Sequence, residues 1–68
     1  MKFSVEIEQE VDGRWIAEVM ELPGVMSYGK TLEEAKLRVQ ALALRVNADR
    51  IENGEAGQDL TTISFEAT

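Results

Sequence analysis

Residues 2–10, KFSVEIEQE, alternate between apolar and polar side chains. Phe3, Val5 and Ile7 share one face, while Lys2, Ser4, Glu6, Glu8 and Glu10 share the other. Period two with aromatic and β-branched residues predicts a half-buried strand. Asp12-Gly13 turns the chain, and residues 14–20, RWIAEVM, predict a second strand. A two-residue Asp12-Gly13 loop pairs Ile7 with Glu18 and puts a charge on the core face. A three-residue loop, Val11-Asp12-Gly13, places Gly13 in the left-handed position of a bulge and pairs Glu10 with Arg14. Val5 then opposes Val19, Ile7 opposes Ala17 and Gln9 opposes Trp15. One residue of slip reverses every side chain, so the buried pattern selects the three-residue loop. The same register points Trp15 inward.

Leu22-Pro23-Gly24 ends the hairpin. Proline fixes its φ and lacks a backbone donor, and Gly24 supplies the positive φ that a type II turn needs at its third position. Residues 25–28 predict a short third strand, and Gly29 breaks the chain again. Thr31 precedes Glu34 by the capping-box spacing, in which the hydroxyl accepts from the Glu34 N–H and the carboxylate reaches back to the Thr31 N–H. A helix follows from Leu32 to Ile51 or Glu52, with Gly54 as its stop. Residues 53–59, NGEAGQD, predict a polar loop, and residues 60–66, LTTISFE, a last strand with Ile63 and Phe65 inward. The fold class is α+β, in the order β-β-β-α-β: one mostly antiparallel sheet with a long helix packed on one face. A strand–helix–strand crossover of this length lets the last strand lie parallel to another. Residues 1–68 form one domain, with no internal repeat and no linker.

The helix carries two apolar stripes. At about 100° per residue, Leu32, Ala35, Val39, Leu42, Ala43 and Val46 fall on one side, and Leu37, Ala41, Leu44, Ala48 and Ile51 on the other. Glu34, Arg38, Arg45 and Asp49 line one polar edge between them; Glu33, Lys36, Gln40 and Asn47 line the other. A helix covering one sheet needs a single apolar stripe. The first stripe starts inside the capping motif and is assigned to the core. The second has no partner within the domain. It is either scattered exposed residues, a face covered by the C-terminal segment, or a surface for self-association or a partner, and the last reading is preferred.

Composition narrows the function classes. The chain has 68 residues, with thirteen acidic and seven basic side chains and a net charge of −6. A domain of this size buries about 60% of the surface its unfolded chain exposes, and its core supplies roughly 3–5 kcal/mol. There is no cysteine and no histidine. Disulfides, a Cys/His zinc site and Cys- or His-based nucleophilic catalysis are therefore excluded. Self-association or partner binding is the remaining source of extra stability. The acidic balance disfavours DNA binding and favours a basic partner or simple solubility. No apolar run approaches a membrane span, no signal pattern opens the chain, and the absence of cysteine suits the cytoplasm.

A two-metal site needs carboxylates converging from several elements. Glu6, Glu8 and Glu18 share the polar sheet face, but Glu66 lies at the end of the last strand and Asp49 and Asp59 lie outside any strand. The expectation is no catalytic residue, no metal and no cofactor, with a solvated acidic face instead. That face also carries Ile16 and Met20, which makes Glu6, Glu8, Ile16, Glu18 and Met20 a candidate surface for a basic partner.

The segment Glu21-Leu22-Pro23-Gly24, then Gly29, then Thr31-Leu32-Glu33-Glu34-Ala35 resembles the signature of the HicB family of bacterial and archaeal antitoxins. Lys30 departs from the usual acidic residue, and Val25 stands where a cysteine is common. The resemblance covers nearly the whole chain. It implies a truncated ribonuclease-H-like fold, in which Leu22, Pro23, Gly24, Gly29, Thr31, Glu34 and Ala35 form the structural motif. It also implies a non-catalytic protein that covers a small basic RNA-cleaving toxin of the HicA type. Family members usually add a C-terminal DNA-binding segment. This chain ends at Thr68, after its last predicted strand, so direct DNA binding is not expected. The alternative is a stand-alone homo-oligomer, structural or regulatory, held through Leu37, Ala41, Leu44, Ala48 and Ile51.

Overall fold

A computed structural model describes residues 2–54 and 62–67. It contains β1 (Lys2–Gln9), β2 (Trp15–Val19), β3 (Met26–Gly29), α1 (Leu32–Glu52) and β4 (Ser64–Ala67). The strands form one sheet in the order β3-β2-β1-β4. β1–β2 and β2–β3 are antiparallel, and β4 runs parallel to β1. The fold is therefore α+β, with a mixed sheet and one helix against it.

The hairpin adopts the register that buries its apolar face: Val5 opposes Val19, Ile7 opposes Ala17 and Gln9 opposes Trp15. Gly13 takes φ +94° in the connection, and the Glu10 N–H donates to Arg14 C=O at 2.7 Å. At the other end of β2, Gly24 takes φ +85°, and the Val25 N–H donates to Leu22 C=O at 3.0 Å. These values satisfy the type II turn. The turn buries Leu22 and Val25 against the core formed by Phe3, Val5, Ala17 and Val19.

Gly29 matters for a different reason. It is buried at the end of β3, and a Cβ placed there would strike the Ala35 backbone nitrogen and lie 2.9 Å from the Ala35 Cα. The first turn of α1 rests directly on the β3 backbone. Thr31 caps that turn by accepting from the Glu34 N–H at 3.1 Å. The Glu34 carboxylate does not return to the Thr31 N–H. It accepts from the Lys30 N–H at 3.3 Å and pairs with Arg38 at 3.1 Å. Arg38 also donates to Tyr28 C=O at 3.1 Å. This guanidinium is anchored on β3 and draws the carboxylate one residue upstream.

α1 ends where expected: Gly54 takes φ +70° and its N–H donates to Ile51 C=O at 3.1 Å. Its core side differs from the expected stripe. Ala35, Val39, Ala43 and Asn47 are buried, while Leu32, Leu42 and Val46 are half-buried. The buried residues form an i, i+4 row, which is inclined to the helix axis. A helix that meets the sheet along that row turns Asn47 inward, away from the polar edge to which its angle alone assigned it. α1 lies chiefly over β3 and β2 and reaches β1 less.

β3 begins at Met26 and extends through Gly29, one residue later at each end than residues 25–28. β4 begins at Ser64, not at residue 60. Leu60, Thr61 and residues 55–59 of the expected loop lie outside the described residues. Ile63 and Phe65 are half-buried against the core, and Phe65 stacks on Phe3 with ring centroids 5.5 Å apart.

Candidate protein-binding surfaces

The sheet face turned away from α1 is built from alternate residues of neighbouring strands. Glu8 on β1 opposes Ile16 on β2, which opposes Tyr28 on β3. The next row is Glu6, Glu18 and Met26. Met20 follows at the end of β2, where its N–H donates to Ser4 C=O at 3.0 Å. The face is divided. Its β1 side is acidic, and its β2–β3 side exposes Met20, Met26 and Tyr28 at 47%, 41% and 40%.

Glu6, Glu8, Glu10, Ile16 and Glu18 line a depression of about 260 Å³ in this face. Glu6 and Glu18 stand directly opposite each other, an arrangement that destabilises a sheet when the charges are alike. Nearby cations are committed elsewhere. Lys2 pairs with Glu66 at 3.1 Å. Arg14 pairs with Asp12 at 2.7 Å and lies 4.6 Å from the centre of the Tyr28 ring. Among the described residues, none of the four glutamates of the depression has an ion-pair partner.

Two other carboxylates are occupied structurally. The Arg14 N–H, followed by the guanidinium, holds the Asp12 carboxyl below its ordinary range. The Ser4 N–H, donating at 2.8 Å, lowers that of Glu21. Glu21 thus supplies the acceptor for a β1 donor beside the point where β2 turns away. The residues of the depression carry no such role.

The second surface lies on α1. Leu37, Leu44 and Ile51 are 64%, 45% and 52% exposed, and Ala41 and Ala48 are exposed between them. All five lie on the side of the helix opposite the buried row. The sequence-based stripe therefore stands open, and no described residue folds over it. Sequence reasoning also identified Glu6, Glu8, Ile16, Glu18 and Met20 as one surface, and the sheet brings them together. It placed Glu10 on the same polar face without including it in that surface, and it missed Met26 and Tyr28. The alternation Met26-Ser27-Tyr28-Gly29 carried the signal for β3, because its small residues face the close-packed helix.

Among the described residues, no three acidic side chains come together in a way that would hold a metal ion. No helix among them is long and apolar enough to cross a membrane. The segment from Leu22 to Ala35 serves the fold: Leu22, Pro23 and Gly24 make the turn, and Gly29, Thr31, Glu34 and Ala35 dock and cap the helix.

No protein-family model matches the chain. A hypothetical protein from the extremely thermophilic bacterium Thermus thermophilus has a similar structure. The TM-score is 0.58 at 30% identity, and the match covers 100% of this chain and 93% of that one. A UPF0150 protein of Archaeoglobus fulgidus is 37% identical over 57 residues, which cover 81% of this chain and 83% of the relative. On this similarity along most of both sequences, the chain belongs to the UPF0150 family.

Proposed function

We propose that the protein is a HicB-like antitoxin, or an antitoxin-derived binding protein. It works by covering a small basic RNA-cleaving toxin and performs no catalysis of its own. The observation that carries this reading is the row of uncompensated glutamates around Ile16, beside exposed Met20, Met26 and Tyr28. A like-charge pair kept directly across two strands costs stability in the free protein. A cationic partner reverses the sign of that contribution, and the neighbouring apolar side chains give the contact a dry centre. The net charge of −6 steers such a partner from a distance. The resemblance of Glu21–Gly24, Gly29 and Thr31–Ala35 to the HicB signature supplies the class of partner.

The test uses a HicA-type toxin encoded in the same genome. RNA cleavage should stop at a stoichiometric ratio of the two proteins. Replacing Glu8 and Glu18 together by lysine should weaken the complex by about 100-fold, in line with two charge contacts of about 1.4 kcal/mol each. Cleavage that persists in excess protein rejects the reading, and so does inhibition indifferent to both reversals.

A second reading, a stand-alone homo-oligomeric interaction protein without a toxin, is favoured by the open Leu37–Leu44–Ile51 stripe. The two readings use opposite faces and are compatible in one molecule.

A further inference from the structure

β3 is an edge strand with no charged side chain of its own: Met26, Ser27, Tyr28 and Gly29. The opposite edge, β4, carries Glu66, which pairs with Lys2. Open edges invite strand addition, and charged side chains are a common guard. On β3 the guard comes from α1. The Val19 N–H donates to Val25 C=O at 3.0 Å, one step beyond the pairing of Glu18 with Met26. Bonded and non-bonded pairs alternate along an antiparallel ladder. Ser27 and Gly29 therefore turn their backbone groups toward β2, while Met26 and Tyr28 turn theirs outward. The Met20 N–H, which donates to Ser4 C=O, sets the same phase from the β1 side. Arg38 donates to the outward Tyr28 C=O at 3.1 Å. Glu34 accepts from the next outward N–H, that of Lys30, at 3.3 Å, and the two side chains pair with each other at 3.1 Å. A guanidinium donor and a carboxylate acceptor thus stand where a neighbouring strand would place one N–H and one C=O.

We propose that the Glu34–Arg38 pair is an autoinhibitory contact: it holds the β3 edge closed to a further strand, and without it β3 pairs with β3 of a second copy. Among the described residues, nothing bonds the Met26 N–H and C=O or the Tyr28 N–H. An antiparallel pair about a two-fold axis at Ser27 sets Met26 against Tyr28 of the second copy, and both residues turn their two backbone groups across the gap. The exposed Met26 and Tyr28 side chains then meet on the outer face. In the native protein this arrangement must first draw Arg38 off the Tyr28 C=O in each copy. The Glu34 and Arg38 side chains are 35% and 61% exposed, and so open a pair contributes little to folding. Its weight falls on association: two charge-assisted hydrogen bonds given up per pairing correspond to about 100-fold in affinity.

The inference rests on neither outer face, and a Leu44→Lys background keeps association through α1 out of the test. In that background Arg38→Met removes the donors and keeps a helix-forming side chain. Sedimentation equilibrium should show its mass rising toward twice 7.6 kDa at concentrations where Leu44→Lys alone stays monomeric. Amide exchange at Met26 and Tyr28 should slow as concentration rises. Arg38→Lys keeps the charge and loses the planar fork. It should move the same way by a smaller factor, and it decides the question if Arg38→Met does not fold. Arg45→Met, the same loss of charge away from β3, should change nothing. Adding Met26→Pro to Arg38→Met deletes an outward N–H where an edge strand tolerates proline, and should restore the monomer. Folded Arg38 variants that stay monomeric, with fast exchange at Met26 and Tyr28, overturn the proposal, and so does loss of the fold in both. Equal association of Arg45→Met, or a dimer that Met26→Pro leaves intact, overturns it as well.

Discussion

The outer face of the sheet and the outer face of the helix both expose apolar side chains, yet they are organised differently. Ile16, Met20, Met26 and Tyr28 lie beside a block of four glutamates. Leu37, Leu44 and Ile51 repeat every seven residues between edges of mixed sign. The first surface is one-signed and cannot be its own complement. The second is nearly neutral and periodic. Small domains with little core gain from both kinds of contact, and here geometry keeps the two apart. The sheet separates the glutamate depression from α1, so a partner on one face leaves the other open.

The largest effect should come from the point where the two faces are tied together. Gly29 lets the first turn of α1 lie on β3, and any Cβ there meets backbone that has no room to yield. Gly29→Ala should cost about 1–3 kcal/mol as an overpacking substitution and lower the melting temperature by more than about 5 °C. Both partner binding and self-association should fall together. Thermal denaturation followed by circular dichroism checks it, and a variant with wild-type stability would remove the close approach of Gly29 to Ala35 from the account.

A smaller effect should distinguish the faces. Gly24 holds φ +85° in the turn that sets β3 beside β2. Nothing lies within 4 Å of a Cβ built there, so the penalty for a side chain is conformational and not steric. Gly24→Val should destabilise the fold by about 1 kcal/mol or more. It should disturb Met26 and Tyr28 on the sheet face before it disturbs the α1 stripe. Chemical denaturation gives the first quantity, and amide exchange of β3 relative to α1 gives the second. Equal loss of protection in both elements would contradict the proposed order.

The contrast between the faces also marks what could be read from residues alone. Features set by near neighbours in sequence were legible: the alternation of residues 2–10, the hairpin register, the turn at Leu22–Gly24, the Thr31 cap and the helix limits. The α1 stripe was legible because helical periodicity is itself local. Asn47 was not, since its burial depends on which inclined row of the helix meets the sheet. The Glu34 carboxylate was misplaced because Arg38, anchored on Tyr28, competes for it. Met26 and Tyr28 were missed on the sheet surface because their alternation with Ser27 and Gly29 runs for only four residues. The beginning of β4 and its place beside β1 depend on pairing across most of the chain. Of the two candidate surfaces, the helix stripe could thus be read completely and the sheet face in part.

The smallest effect is the most discriminating, because it runs opposite ways in stability and binding. Glu18 opposes Glu6 across β1 and β2, and no described cation lies in ion-pair reach of either. Removing one charge without changing side-chain shape should relieve repulsion of roughly a few tenths of a kcal/mol, as expected for like charges directly across a sheet. Glu18→Gln should therefore raise the melting temperature by about 1–3 °C. The same substitution should weaken binding of a basic partner and leave the α1 stripe unaffected. Added salt offers an independent check: it should narrow the stability gap between wild type and variant, because screening removes the repulsion the variant lacks. A variant less stable than wild type would mean that the Glu18 carboxylate is satisfied in the free protein, and the acidic depression would lose the physical basis for expecting a cation there.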